Sequence, residues 1–139
     1  MADPRIALLR KVPLFGACDD KQLAFIATQV EEMDFPAGHV LCKQGESGEE
    51  FFVIVSGTAD VKRDGRSVQQ LGPGDFFGEI ALIDHGPRTA SVTATSPMRS
   101  LVLGHGQFQN VLHQNAAIAV AVLQRLGQRI RPLLGPREV

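Results

Sequence analysis

Phe77-Gly78-Glu79-Ile80-Ala81-Leu82-Ile83-Asp84-His85-Gly86-Pro87-Arg88-Thr89-Ala90-Ser91-Val92 is the stretch on which the reading of this chain turns. It contains a Gly-Glu step, a short apolar helical turn and an Arg-Thr pair. Gly78 permits close approach of backbone to a bound group, and a helical turn opening at Ile80 and Ala81 offers N–H donors to an anion. Arg88 adds a planar fork of donors that fits phosphate oxygens, and Glu79 is an acceptor suited to sugar hydroxyls. Together these residues describe a pocket for a small anionic ligand that carries a ribose.

Working outward, the hydrophobic period changes on both sides of this stretch. From Glu32 onward, short apolar runs alternate with turn signals at Pro36-Ala37-Gly38, Gly45-Glu46-Ser47-Gly48, Ser56-Gly57, Asp64-Gly65 and Gly72-Pro73-Gly74-Asp75. Strands are expected at 40–43, 51–56, 58–63, 67–71, 91–94 and 99–103. Runs this short and this closely punctuated by glycine point to an antiparallel sandwich or jelly roll. Asp64-Gly65 is a two-residue hairpin signal. Toward the N-terminus, Ile6, Leu8 and Leu9 mark a short helix broken at Val12-Pro13. Asp19 or Asp20 caps a second helix reaching about Val30, with Leu23, Ile26 or Ala27, and Val30 on its apolar face. Beyond Gly104, Phe108, Val111 and Leu112 mark a short helix. A longer one is expected from an Asn115 N-cap to about Arg131, stopped by Pro132, with Ala119, Val122 or Leu123, Leu126 and Ile130 on one stripe. Gly127 inside that helix reads as close packing in preference to a yielding point.

At 139 residues, the chain has room for a single domain spanning 1–139, with helices over about 4–30, the jelly roll over about 32–103 and C-terminal helices over about 106–132. A net charge of -1 gives no bulk reason to expect nucleic acid or an anionic membrane as a partner. No apolar run approaches the roughly 20 residues that span a bilayer, and Met1-Ala2-Asp3-Pro4-Arg5 does not open a signal peptide. A cytoplasmic location is expected. Cys18 and Cys42 stand alone and read as reduced thiols. His39, His85, His105 and His113 are scattered singly, without metal-ligand spacing. Ser56, Ser91 and Ser96 lack a nucleophile elbow, and Gly72-Pro73-Gly74 is neither a dinucleotide nor a Walker motif. Neither a metal nor an enzymatic activity is expected.

The opening stretch closely resembles the phosphate-binding cassette of the cyclic nucleotide-binding domain family. That cassette reads Phe-Gly-Glu-(Leu/Ile)-Ala-Leu, a few residues, then Pro-Arg-(Ala/Ser/Thr)-Ala-(Ser/Thr)-Val. Phe35-Pro36-Ala37-Gly38, Gln44-Gly45-Glu46 and Phe52-Val53-Ile54-Val55-Ser56-Gly57 are similar to the family's first strands. Gly72-Pro73-Gly74-Asp75-Phe76-Phe77 is similar to its entry into the cassette. The resemblance implies N-terminal helices, an eight-stranded antiparallel jelly roll interrupted by a short cassette helix, and two C-terminal helices.

It also implies roles. Arg88 takes the cyclic phosphate, Glu79 after Gly78 takes the ribose 2′-hydroxyl, and the N–H groups of Ile80, Ala81, Thr89 and Ala90 are phosphate donors. As a bare feature, Glu79 also suits the N-terminus of a helix. Leu82 and Ile83 read as core. Thr89 is compatible with cGMP-selective kinase domains and with bacterial-type cAMP binders; cAMP is preferred and cGMP is the alternative. The chain has no Trp and no Tyr, so the aromatic base cap of kinase regulatory subunits is missing. Arg129 falls where channel-type members place a capping arginine, with Arg125 as second choice, although either also reads as a solvated helix arginine. Val61 and Leu71 are candidates for the apolar wall beneath the base. Binding is then expected to act through the C-terminal helices on a partner or attached effector, with no direct DNA binding and no membrane. A homodimer through residues 116–122 is left open, with packing preferred. The competing classes are a degenerate jelly roll serving protein interaction and a metal-dependent jelly-roll enzyme. Glu79 and Arg88 together argue against the first.

Overall fold

Alternating apolar residues in short runs build two four-stranded antiparallel sheets. The strands are β1 (Glu31–Phe35), β2 (Val40–Cys42), β3 (Glu50–Ser56), β4 (Ala59–Arg63), β5 (Arg66–Leu71), β6 (Phe76–Phe77), β7 (Ser91–Ala94) and β8 (Met98–Gly104). Their order is β1-β8-β3-β6 in one sheet and β2-β7-β4-β5 in the other, which is the expected jelly roll. The computed structural model describes residues 3–84 and 86–134. They fall into two units, one within residues 29–109 and one of 3–28 with 110–134.

In the sheet unit, Phe52, Ile54, Met98 and Val102 meet Cys42, Ala59, Val92 and Ala94 in one buried cluster. Each fully buried large side chain there contributes roughly 1.5–3 kcal/mol. A line of rings runs through it: Phe35 lies edge-on to Phe52 at 6.2 Å, and Phe52 stacks on Phe77 at 4.8 Å. The β4–β5 turn has positive φ at both central residues, 54° at Asp64 and 79° at Gly65, the geometry that closes a two-residue hairpin. Two strands lie outside the sequence expectation. β1 (Glu-Glu-Met-Asp-Phe) is mostly exposed and has no apolar alternation; its register on β8 brings Asp34 opposite Arg99, whose Nε donates to Oδ1 at 2.9 Å. β6 is two residues long and is defined only by pairing with Phe52 and Val53.

In the other unit lie α1 (Pro4–Arg10), a 3-10 turn at Pro13–Phe15, α2 (Asp20–Ala27) and α5 (Ala116–Ile130). Asp19, not Asp20, caps α2 through a reciprocal box with Gln22. α2 stops at Ala27, short of Val30, where the Thr28 hydroxyl bonds the Phe25 carbonyl at 2.6 Å. Asn115 caps α5 as expected, and Pro132 sits in a 3-10 turn at Arg131–Leu133. The buried face of α5 is Ile118, Ala121 and Val122, whereas Leu123 and Ile130 are exposed, so the expected stripe is rotated. The run Ala116–Leu123 is apolar on nearly all sides, so periodicity alone could not choose the face. Gly127 is exposed and a Cβ there would meet nothing within 4 Å; the close-packing reading does not hold. α4 (His105–Gln114) spans the division between the units.

Candidate functional site

Gly78 ends the approach from β6 with φ of 83°, a conformation that disfavours any side chain. The chain then turns into α3 (Ala81–Asp84). Ala81 N–H bonds the Gly78 carbonyl at 3.1 Å, so that expected donor is already engaged. Among the described residues, the N–H groups of Ile80, Thr89 and Ala90 donate to no other group. Glu79 is buried at 8% exposure. Leu82 is buried as expected, but Ile83 is 38% exposed, because a single helical turn has only one inward face. The Leu82 carbonyl meets His105 Nδ1 at 2.9 Å.

Arg88 is held by the segment between β2 and β3. Its N–H donates to the Glu46 carbonyl at 2.8 Å, Gly45 N–H donates back to its carbonyl at 2.9 Å, and Gly48 N–H bonds Gly86 at 3.1 Å. Its Nη2 donates to the Glu50 carbonyl at 2.6 Å. A Cβ at Gly78 would lie 2.6 Å from Nη1, and one at Gly48 would collide with Nε. Two glycines thus form the cradle for the guanidinium.

That guanidinium lies at the junction of two adjoining cavities. One, of about 390 Å³, also takes in Val61, Leu71, Thr89 and Ala90; the other, of about 400 Å³, takes in Glu79, Ile80 and Ala81. Gly78, Arg88 and Thr89 line both. The fold therefore brings together Gly78, Glu79, Ile80, Ala81, Arg88, Thr89, Ala90, Val61 and Leu71. Val61 and Leu71 reach the cavity because β4 and β5 pair in the register that sets Ala59 opposite Leu71 and Val61 opposite Gln69.

Arg129 stands in the last turn of α5, in the unit made by the chain's ends. Arg125, in that same unit, donates from Nε to the Pro13 carbonyl at 2.9 Å and from Nη1 to Gln128 at 3.2 Å. Sequence reasoning missed Cys42, Arg63, Gln69 and Phe77, all of which line the first cavity. The strand alternation that selects Val61 also selects Arg63, so that signal was available. Burial pushes the Cys42 thiol up to about 11, against an opposing pull from the Arg88 charge. Both cysteines are free thiols. Among the described residues, no group of three or more His, Cys, Asp or Glu is placed to hold a metal, and no helix is long and apolar enough to cross a membrane.

The model for the cyclic nucleotide-binding domain matches residues 32–115. A CRP-like cAMP-activated global transcriptional regulator of Mycobacterium tuberculosis is 30% identical over 129 residues, which are 89% of this chain and 58% of the regulator. A cAMP-dependent protein kinase regulatory subunit of Eremothecium gossypii is 38% identical over 105 residues, covering 75% of this chain and 23% of the subunit. The chain thus spans little more than half the length of one relative and about a quarter of the other. Among solved structures, the N-terminal domain of a transcriptional regulator from Streptomyces coelicolor A3(2) superposes with a TM-score of 0.83 at 35% identity, over 91% of this chain and 94% of that one. The regulatory domain of Toxoplasma gondii PKA, crystallised with cAMP, gives a TM-score of 0.70 at 33% identity, over 77% and 42%. These relatives are regulators, and the matched domain is a cyclic nucleotide-binding one.

Proposed function

The chain belongs to the cyclic nucleotide-binding domain family, and we propose that it is a sensor selective for cAMP. The observation that carries the proposal is the Arg88 guanidinium, seated between Gly48 and Gly78 where two cavities meet. A cyclic phosphodiester is a compact monoanion, and a guanidinium can bond its two free oxygens at fixed geometry. Glu79 accepts from the ribose hydroxyl, while Ile80, Thr89 and Ala90 supply backbone donors. Val61 and Leu71 lie under the base.

The named ligands of the Mycobacterium, Eremothecium and Toxoplasma relatives favour cAMP. The Thr89 hydroxyl supports cGMP as the second reading, since its oxygen can accept from a guanine amino group, while its O–H can equally donate to a phosphate. By family resemblance, Arg129 closes over the base and Arg125 is the lesser candidate. The whole chain, 1–139, works as one cytoplasmic domain whose C-terminal helices pass the binding free energy to an attached effector or partner. That transfer is limited to the ligand's differential affinity for the two helix positions.

Calorimetric titration with cAMP and cGMP tests the reading, after any carried-over ligand is removed. Wild type should bind cAMP more tightly than cGMP, and Arg88→Ala should lose on the order of 100-fold in affinity. A wild-type chain that binds neither nucleotide would sink the proposal and leave protein interaction as the leading role.

A further inference from the structure

We infer that Arg63 is a second guanidinium of the ligand site, acting on the bound phosphate beside Arg88; this rests on the cyclic-nucleotide reading above. Arg63 ends β4, immediately before the Asp64-Gly65 turn. That turn is not a free hairpin tip. The Gln44 side chain holds Asp64 from both sides, accepting from its N–H and donating to its carboxylate, each at 2.9 Å. Gln44 N–H in turn bonds Ser91 Oγ at 2.9 Å. The end of β4 is therefore fixed relative to the chain that leaves the cassette.

From this fixed point, Arg63 Nε donates to the Thr89 carbonyl at 3.2 Å, and the side chain lines the cavity shared by Gly78, Arg88 and Thr89. Among the described residues, its terminal nitrogens donate to nothing else. A guanidinium carries five donors, and four of these remain for a ligand. Arg88 commits Nη2 to the Glu50 carbonyl, so it offers a phosphate fewer bonds than an unengaged fork would. Arg63 supplies what is missing. The charges agree: among the described residues lining this cavity there are two arginines and one acid, Asp75, whose carboxylate already accepts from Gly72 N–H at 2.8 Å. Arg63 and Arg66 are also register partners across the turn, a like-charge pairing that an incoming anion relieves.

Titration of the full chain with cAMP and cGMP, comparing wild type, Arg63→Met and Arg63→Lys, tests this. Methionine keeps the apolar stem and deletes the charge. It should weaken both nucleotides to a similar extent, on the order of tenfold, with the melting temperature unchanged. Lysine should recover part of that loss. Equal affinities for Arg63→Met and wild type overturn the role of Arg63 alone. A loss that lysine does not reduce, or one accompanied by a lower melting temperature, assigns Arg63 to support of the Thr89 peptide and overturns it too. A wild type that binds neither nucleotide overturns the cyclic-nucleotide reading itself.

Discussion

Arg88 and Arg125 make the same first contact in different units of the molecule. Each donates to a backbone carbonyl, Glu50 at 2.6 Å and Pro13 at 2.9 Å, and each lies against a glycine that leaves room for it. The difference is in the remaining donors. Arg125 gives one to Gln128 on its own helix and so serves as a staple between α5 and the 3-10 turn at Pro13–Phe15. Arg88 keeps its remaining donors at the junction of two cavities. A hydrogen bond to a carbonyl does not tell a binding arginine from a structural one; the space in front of the guanidinium does.

The contrast can be broken from either side. Gly48→Ala should move the Arg88 guanidinium without unfolding the sheets, because the colliding atom is a side-chain nitrogen. Affinity for cAMP should fall nearly as far as in Arg88→Ala, on the order of 100-fold, with little change in melting temperature. Gly78→Ala differs, since its Cβ would also lie 2.8 Å from the Glu50 carbonyl at φ 83°; there the fold itself should weaken.

Cys42 reports on the same cavity. Burial holds its folded thiol protonated up to about 11, against an ordinary 9.0. Its contribution to stability is whole below about pH 9 and is lost as pH rises through 11. Alkylation at neutral pH should be slow at Cys42, quicker at the half-buried Cys18, and slower still at Cys42 once nucleotide fills the cavity. Mass spectrometry of the labelled peptides checks all three.

On the other side, Arg125→Met should cost about 1 kcal/mol of unfolding free energy in denaturant melts. The loss stays small because Pro13 also accepts from Gly16 N–H at 3.1 Å. Gly127→Ala has the smallest effect and the opposite sign. Its Cβ meets open space, so the melt should show a gain of up to about 1 kcal/mol.

The jelly roll was legible in the sequence wherever a strand carried its own apolar run, as 51–56 does, or its own alternation, as 91–94 does, and wherever a turn carried its own chemistry, as Asp64-Gly65 does. β1 and β6 were not legible, because an acidic run and a Phe-Phe pair become strands only through their partners. The face of α5 escaped for a related reason. Its first two turns are apolar nearly all round, and the polar Arg125 adds a bond of its own to the Pro13 carbonyl. Within the site, residues adjacent in sequence to Arg88 could be named directly. Gly48 could not, since it arrives through a contact with Arg88 made across a long stretch of chain; Arg63 lies two residues from Val61 on β4, and the same alternation pointed to it.

The stack of Phe52 on Phe77 also has a spectroscopic use. With no Trp and no Tyr in the chain, near-ultraviolet circular dichroism of the protein arises from phenylalanine rings alone, and the ordered line from Phe35 through Phe52 ends at Phe77 on the cavity wall. Occupancy is therefore readable in an unlabelled sample. A purine carried through purification absorbs strongly where this protein scarcely does, so the spectrum of the first column fraction already shows whether the site came out of the cell filled.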